Sequence, residues 1–430
     1  MTSTRRVFLQ STGLIALGSQ AAARTSANDR VVVAVIGVGG QGRSHLSAWK
    51  SLPNVELAAY CDVEADRRSA AAKVAPGARA ETDLRKILDD RSIDAVSIAT
   101  PDHWHTPAAL LAMAAGKHVY VEKPCSHNLR EGRLLVEAAK RHGKVVQHGT
   151  QSRSSRFVRD AVALARSGAI GEILVARAWN VQYRPSIGHD KPSTPPAGLD
   201  YENWVGPAPM VPYQANRLHY GWHWFRNFGT GDAGNDGVHE LDIARWGLGV
   251  ETLPTTVAAI GGKYHHDDDQ EFPDTMTSIF EFPGTGGVGK RKQLIFEMRL
   301  WSRYHPETTD NGNEFLGTEG RIYIAKRGDL KVFDREGRPK QVEITADRTN
   351  SVADHMANFL DAIRGDSAAH ADATTAHLSS SLPHLANLSA RLGRSLTLDP
   401  SAERIPGDSE ADAGLGRSYR TEHWAAPRKS

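Results

Sequence analysis

The run Val31-Val32-Val33-Ala34-Val35-Ile36, followed at once by Gly37-Val38-Gly39-Gly40-Gln41-Gly42, limits this chain more than any other stretch. A near-continuous β-branched run reads as a parallel strand buried on both faces. The glycines then fit G-x-G-x-x-G, and a helical pattern follows to about Leu52. Between a strand and a helix, such a motif has a mechanical meaning that an isolated one lacks. Its first glycine makes a tight turn, its second lets backbone approach a pyrophosphate, and its third packs helix on strand. The helix start offers free N–H groups to the phosphates. Gly37, Gly39, Gly40, Gln41 and Gly42 are therefore the expected phosphate-side contacts.

A second strand, Val55 to Cys61, ends at Asp62, 20 residues after Gly42. A carboxylate there accepts from the adenosine ribose hydroxyls and repels a 2′-phosphate, which favours NAD over NADP; Arg67 and Arg68 pull the other way. The alternation continues with a helix at Asp83–Leu88, a strand at Ala95–Ala99 and a helix from about Pro107 to Gly116. A strand ending at Val121, a helix from about Leu129 to Arg141 and a strand at Val145–His148 complete it. Strands and helices in this rhythm predict a doubly wound parallel sheet, a Rossmann domain over residues 29–150.

A chain of 430 residues is long enough for a second domain, and residues 151–395 have a different rhythm. A helix is expected over Ser154–Ser167 and a strand over Ile173–Val181. Seven prolines between Pro185 and Pro212 mark a long irregular excursion, of the kind that forms lids and binding loops. Later strands at Thr256–Ile260, Thr275–Phe282, Gln293–Met298 and Arg321–Ile324 have short crossovers, which predicts an α+β domain on a mostly antiparallel sheet. Two closing helices, about 352–364 and 375–392, precede a polar tail over 396–430 to which no structure is assigned.

Thr4-Arg5-Arg6-Val7-Phe8-Leu9-Gln10, a weakly apolar stretch to Leu17 and Ala21-Ala22-Ala23 read as a twin-arginine export signal, with residues 1–28 as signal and linker; the alternative is a disordered tail. The Tat export machinery and a periplasmic or otherwise exported location follow. The formal charge of +2 falls to zero without residues 1–23, and no basic stripe suggests nucleic acid. No apolar run is long enough to span a bilayer. Cys61 and Cys125 follow strands that a doubly wound order keeps apart, and are read as free thiols.

The chemistry is expected at strand ends. Glu122-Lys123-Pro124 closes the strand ending at Val121, beside the dinucleotide. An alcohol loses a proton as hydride leaves its carbon, and a lysine beside a positively charged nicotinamide is suited to accept it. Pro124 fixes the turn, with a cis bond as one option; the bland reading is a surface ion pair. Thr100 and His105 follow the preceding strand and should face the cofactor, as should Glu122. His103 and His105 lack a third ligand nearby and are read as packing or cofactor contacts rather than a metal site. Further on, Trp222, His223 and Arg226 lie in an aromatic run suited to stack on a sugar ring. Asn235 and Asp236 precede a helix from Val238 that carries His239. Asn235 could merely cap that helix; the sharper reading aims Asn235, Asp236 and His239 into a cleft.

Together Gly37–Gly42, Asp62, Thr100-Pro101, Glu122-Lys123-Pro124 and Gly237-Val238-His239 resemble, in order and spacing, the Gfo/Idh/MocA oxidoreductases (glucose-fructose oxidoreductase, inositol dehydrogenase and MocA). The resemblance covers nearly the whole chain after the signal. It implies that Lys123 is catalytic, that the second domain is an open-faced sheet, and that the chain forms a dimer or tetramer. Inositol dehydrogenases carry an aspartate four residues before the histidine, where this chain has Asn235. Asparagine can orient a hydroxyl but cannot take its proton, so the load falls on Lys123 and His239. The aromatic run and the export signal look closer to exported members that resemble NAD-dependent α-N-acetylgalactosaminidases, which oxidise, eliminate and return the hydride to a retained cofactor. The expected activity is an exported NAD(P)-dependent oxidoreductase acting on a sugar, polyol or glycoside; the alternatives are such a glycosidase and a non-catalytic sugar-binding protein.

Overall fold

A computed structural model describes residues 30–284, 291–306, 310–325, 328–342, 344–349 and 351–427. The arginine pair Arg5-Arg6 and the rest of the expected signal lie outside the described residues. The first domain carries strands β1 (Val31–Ile36), β2 (Val55–Cys61), β3 (Arg79–Glu81), β4 (Ala95–Ile98), β5 (His118–Val121) and β6 (Val146–His148). All pair in parallel, in the order β3-β2-β1-β4-β5-β6. The crossovers are α1 (Gly40–Ser51), α2 (Ala65–Val74), α3 (Leu84–Leu88), α4 (Asp102–Ala114) and α5 (Leu129–His142). This is the doubly wound sheet that the sequence predicts, and its switch point between β1 and β4 sets the dinucleotide cleft at the strand ends.

Helix α4 starts five residues before the expected Pro107. Proline inside a helix leaves the carbonyl four residues earlier without its donor. Here that carbonyl belongs to His103, and it accepts from Arg417 Nη2 at 2.7 Å. A distant cation thus replaces the missing amide.

In the second domain α6 (Arg156–Arg166) leads into β7 (Ile173–Val181), and α7 (Tyr201–Val205) is the only α-helix in the proline-rich excursion. Then follow α8 (Val238–Leu248), β8 (Thr256–Gly262), β9 (Thr275–Pro283), β10 (Arg291–Arg299), β11 (Asn311–Gly317), β12 (Gly320–Ile324), β13 (Leu330–Asp334) and β14 (Pro339–Lys340). The closing elements are α9 (Val352–Arg364), α10 (Ala373–Leu392), β15 (Leu396–Thr397) and α11 (Ser409–Ala413). The sheet has nine strands, ordered β14-β13-β12-β11-β7-β10-β9-β8-β15, and only β7 and β10 pair in parallel. In β9, Met276, Ser278, Phe280 and Phe282 are buried while alternate residues are not, so one face packs on helices and the other is open. Ile260 is 78% exposed on the open side of the neighbouring strand.

Three features differ from the sequence reading. Strand β11 lies in the sheet interior although Asn311-Gly312-Asn313 favours turns; Trp179 covers Gly312, where an added Cβ would meet its ring at 2.6 Å. Helix α9 returns to the first domain, where Phe359 joins Trp49 and Tyr120 in one core. The stretch after residue 395 is ordered: β15 extends the sheet, and Arg417 and Tyr419 both bond to the buried Glu131. Cys61 and Cys125 are buried and unpaired, as read.

Buried histidines make this fold sensitive to acid. His103, His148 and His377 are held down to about 3, and His355 and His384 to about 4, in each case mainly by burial. Between pH 6.5 and 4 an unfolded chain takes up protons that these folded sites refuse, so stability falls as pH falls. Chemical denaturation at stepped pH should therefore show a steep loss below about pH 6.5. His355→Gln should shallow that slope by up to about 1.4 kcal/mol per pH unit; an unchanged slope would count against it.

Candidate active site

The glycine turn is built as its spacing requires. Gly37 has φ +81°, and a Cβ there would meet the Ala99 carbonyl at 2.7 Å. At Gly42 a Cβ would collide with the Gly37 carbonyl, whereas nothing lies within 4 Å of the one at Gly40. The start of α1 has no capping side chain and no acidic residue in its first turn, and Gly39, Gly40 and Gln41 line a cavity there beside Arg67. Asp62 Oδ2 accepts from Val38 N at 2.9 Å and Oδ1 from Glu64 N at 3.0 Å. Burial pushes its carboxyl above the usual range, against the pull of the Val38 amide and Arg67. Arg67 Nε donates to Glu64 Oε2 at 2.7 Å, and Arg68 Nη1 to the Asp62 carbonyl at 2.7 Å. Both arginines that would argue for a 2′-phosphate are thus engaged.

The lysine turn is clamped to this motif. Glu122 Oε1 accepts from Gln41 Nε2 at 3.0 Å and lies 3.0 Å from His45 Nε2; its Oε2 accepts from Lys123 N at 3.2 Å. Burial opposes its ionisation, yet His45, Lys123 and Gln41 outweigh burial and hold the carboxyl well below its ordinary range. The Lys123–Pro124 bond is cis. Lys123 Nζ crosses to the second domain, donating to the Asn235 carbonyl at 2.6 Å and to Asn235 Oδ1 at 3.2 Å. Asn235 stands in a π-helical turn, Ala233–Gly237, that runs into α8. Its Nδ2 donates to Tyr220 OH at 3.0 Å and Asp232 Oδ1 at 2.8 Å, which fixes Oδ1 toward the lysine.

One cavity of about 490 Å³ joins these parts. Gly37, Gly39, Gly40, Gln41, Asp62, Thr100, Glu122, Lys123, Trp222, His223, Asn235 and Asp236 all line it. The Thr100 hydroxyl is buried there without a partner, as a ligand contact would be. Trp222 and His223 stack at 3.6 Å, and burial keeps His223 neutral. The residues present fit a dinucleotide: an amide cradle after β1, an acid at the ribose position after β2 on one side of it, and an orphaned hydroxyl after β4 on the other.

Four expected contacts lie elsewhere. Gly42 packs behind the turn. His105 ties two turns together, with Nδ1 2.6 Å from the Pro124 carbonyl and Nε2 2.8 Å from that of Thr100. His239 is 7% exposed, does not line the cavity, and is close enough to His148 to disfavour its protonation. Arg226 binds the loop at Glu271 and lines a different cavity. The start of the helix was expected to aim both Asn235 and His239 into one cleft; the π turn carries Asn235 onto the cavity wall while His239, in α8, lies off it.

A sequence model described as the oxidoreductase family's NAD-binding Rossmann fold matches residues 31–150, and one for its C-terminal α/β domain matches 175–278, together just over half of the chain. The chain belongs to the Gfo/Idh/MocA family. It is an NAD-dependent oxidoreductase. An inositol 2-dehydrogenase 2 of Saccharopolyspora erythraea is 28% identical over 303 residues, covering 67% of this chain and 77% of that protein. A glycosyl hydrolase family 109 protein of Shewanella sp. (strain W3-18-1) is 34% identical over 162 residues, 35% of each chain. The solved levoglucosan dehydrogenase in complex with NADH superposes with TM-score 0.66 at 20% identity, covering 86% of this chain and 99% of that one.

The sequence reading missed Gln182, Arg184, Tyr220 and Trp424, all of which line the cavity. Gln182 and Arg184 stand just past the end of β7, where polar side chains signal a site. Nothing local marks Trp424, which reaches the outer end of the cleft beside Leu84, with its ring 5.7 Å from Trp104 and the Arg85 guanidinium 4.7 Å over it. Trp424→Ala should raise the NAD dissociation constant about tenfold, read by fluorescence titration; an unchanged constant would leave the indole a purely structural role.

Proposed function

We propose that this enzyme moves a hydride between NAD and a hydroxyl-bearing carbon of a sugar, polyol or glycoside, with the Lys123 amine as the group that takes the hydroxyl proton. The observation that carries this reading is Lys123 Nζ at the junction of the domains, on the wall shared by the glycine turn and the Trp222–His223 stack. NAD, when bound, supplies the hydride acceptor. Asn235 orients the lysine through two oxygens, and its own amide carries no transferable proton. His239 is buried and does not line the cavity, which leaves proton transfer to Lys123. The relatives named for inositol and levoglucosan support a polyol or sugar substrate.

A second reading is a glycosidase that oxidises, eliminates and restores the hydride on a retained cofactor. The family 109 match supports it, although it spans about a third of those relatives. Aryl glycosides separate the two. Aglycone release without net NADH supports the glycosidase; NADH formation from free sugars or polyols supports the dehydrogenase. In either, Lys123→Ala should lower turnover by about 10²- to 10⁴-fold with NAD still bound, and full activity in that variant would sink both.

We also propose export through the Arg5-Arg6 signal and assembly through the open face of the nine-stranded sheet. Ile260, Ile279 and Trp301 expose apolar surface there, which a second copy would cover. Ile260→Asp combined with Ile279→Asp should shift the protein to monomer in sedimentation velocity.

A further inference from the structure

A second cavity, of about 380 Å³, shares no lining residue with the dinucleotide cleft. Its walls are the His384–Arg391 half of α10, the segment at Arg226–Thr230, the end of β8 with Lys263, the loop at Glu271–Pro273, and Gly414–Arg417. Four cationic side chains, Arg226, Lys263, Arg391 and Arg417, face it against one carboxylate, Glu271. Lys263 is paired with Asp268 at 2.9 Å and Arg417 with Glu131 at 2.7 Å. Arg226 and Arg391 have no ion pair among the described residues. Burial and the nearby Arg391 disfavour the charge on Arg226, against the pull of Glu271. Gly414 makes room for one of them: a Cβ there would come within 3.1 Å of Arg391 Nη2.

The floor is short of acceptors. Asn128 is 6% exposed and spends Oδ1 on the Glu131 amide at 3.1 Å, which leaves Nδ2 without a partner. The Arg417 side chain is 9% exposed; its Nε and Nη2 are engaged with Glu131 and the His103 carbonyl, and its Nη1 has no acceptor. The His127 imidazole, kept neutral by burial and by Arg417, completes the floor. Arg226 Nη2 donates to the Glu271 carbonyl at 2.8 Å, which leaves its charge without an anion. Buried donors are almost always satisfied, and two fixed donors beside two guanidiniums without an ion pair ask for the same thing, an anion with several acceptor oxygens.

We propose that this cavity binds an oxyanion, a phosphate, sulfate or carboxylate group, clamped by Arg226 and Arg391 and received by Arg417 Nη1 and Asn128 Nδ2. Its volume falls in the range of small-molecule sites, roughly 300–1,000 Å³, so the anion can be carried on a body of about hexose size.

The test uses the full chain saturated with NAD, so that anions cannot occupy the pyrophosphate cradle. Inorganic phosphate, glucose 6-phosphate and glucuronate are titrated separately by calorimetry. Saturable binding of one or more, at one site per chain, is expected, weakened about tenfold or more in Arg391→Ala and Arg226→Ala and partly restored in Arg391→Lys. Tighter binding of glucose 6-phosphate than of phosphate assigns the body to the cavity; equal binding assigns the bare anion. Trp222→Ala, in the other cleft, should leave these affinities unchanged. Circular dichroism of the arginine variants shows that they fold. No saturable binding of any of the three up to about 50 mM, or binding indifferent to both arginines, overturns the proposal.

Discussion

The buried carboxylate of Glu122 holds the two halves of the site in register. An ionised acid in the interior is tolerated only when its oxygens are fully met. Its donors come from Gln41 and the Lys123 amide, with His45 at the same oxygen as Gln41. Gly149 has to be a glycine at this point, since a Cβ there would meet the carboxylate at 2.9 Å. The helix that cradles the phosphates and the turn that carries the lysine therefore share one anchor. Lys123 extends the anchor across the domain boundary to Asn235.

The asparagine at 235 has a physical reason. Asp232, three residues earlier and fully buried, already lies 3.2 Å from Arg184 and accepts from Asn180 Nδ2 at 2.9 Å. Asn235 Nδ2 donates to the same carboxylate. An aspartate at 235 would lack this amide donor and would set a second carboxylate beside Asp232. The amide instead bridges Asp232 and Lys123, donating to one and accepting from the other. The departure from the inositol dehydrogenase pattern is thus part of a local charge arrangement, with Arg184 and Tyr220 as its outer members.

What could be read from the sequence follows from how local each cause is. The first sheet was legible because each parallel strand is a buried apolar run and each turn carries its own glycine or acid, as at Gly37–Gly42 and Asp62. Lys123 and Asn235 were legible for the same reason, since both sit at the ends of well-marked elements. Strand β11 was not, because a bulky neighbour, Trp179, stands in for the side chain that Gly312 lacks. Arg226 was assigned to the cleft as part of an aromatic run and His239 by the start of its helix. Their directions depend on the loop at Glu271 and on the π turn, and neither leaves a mark in the sequence near them.

The C-terminal segment shows most clearly how a polar stretch can be structural. Its composition argued for a solvated tail, yet one residue in it, Arg417, meets three demands made elsewhere: the His103 carbonyl that Pro107 leaves open, the buried charge of Glu131, and the floor of the second cavity. A guanidinium can do this because its donors diverge in a fixed plane. Once Arg417 is docked, the residues after it have little freedom: Tyr419 bonds to Glu131, the Arg420 amide to the Pro207 carbonyl, and Trp424 reaches the dinucleotide cleft. The proline in α4 and the tryptophan at the cleft mouth are thus connected through a single side chain, and the helix that begins the site depends on the segment that encloses it.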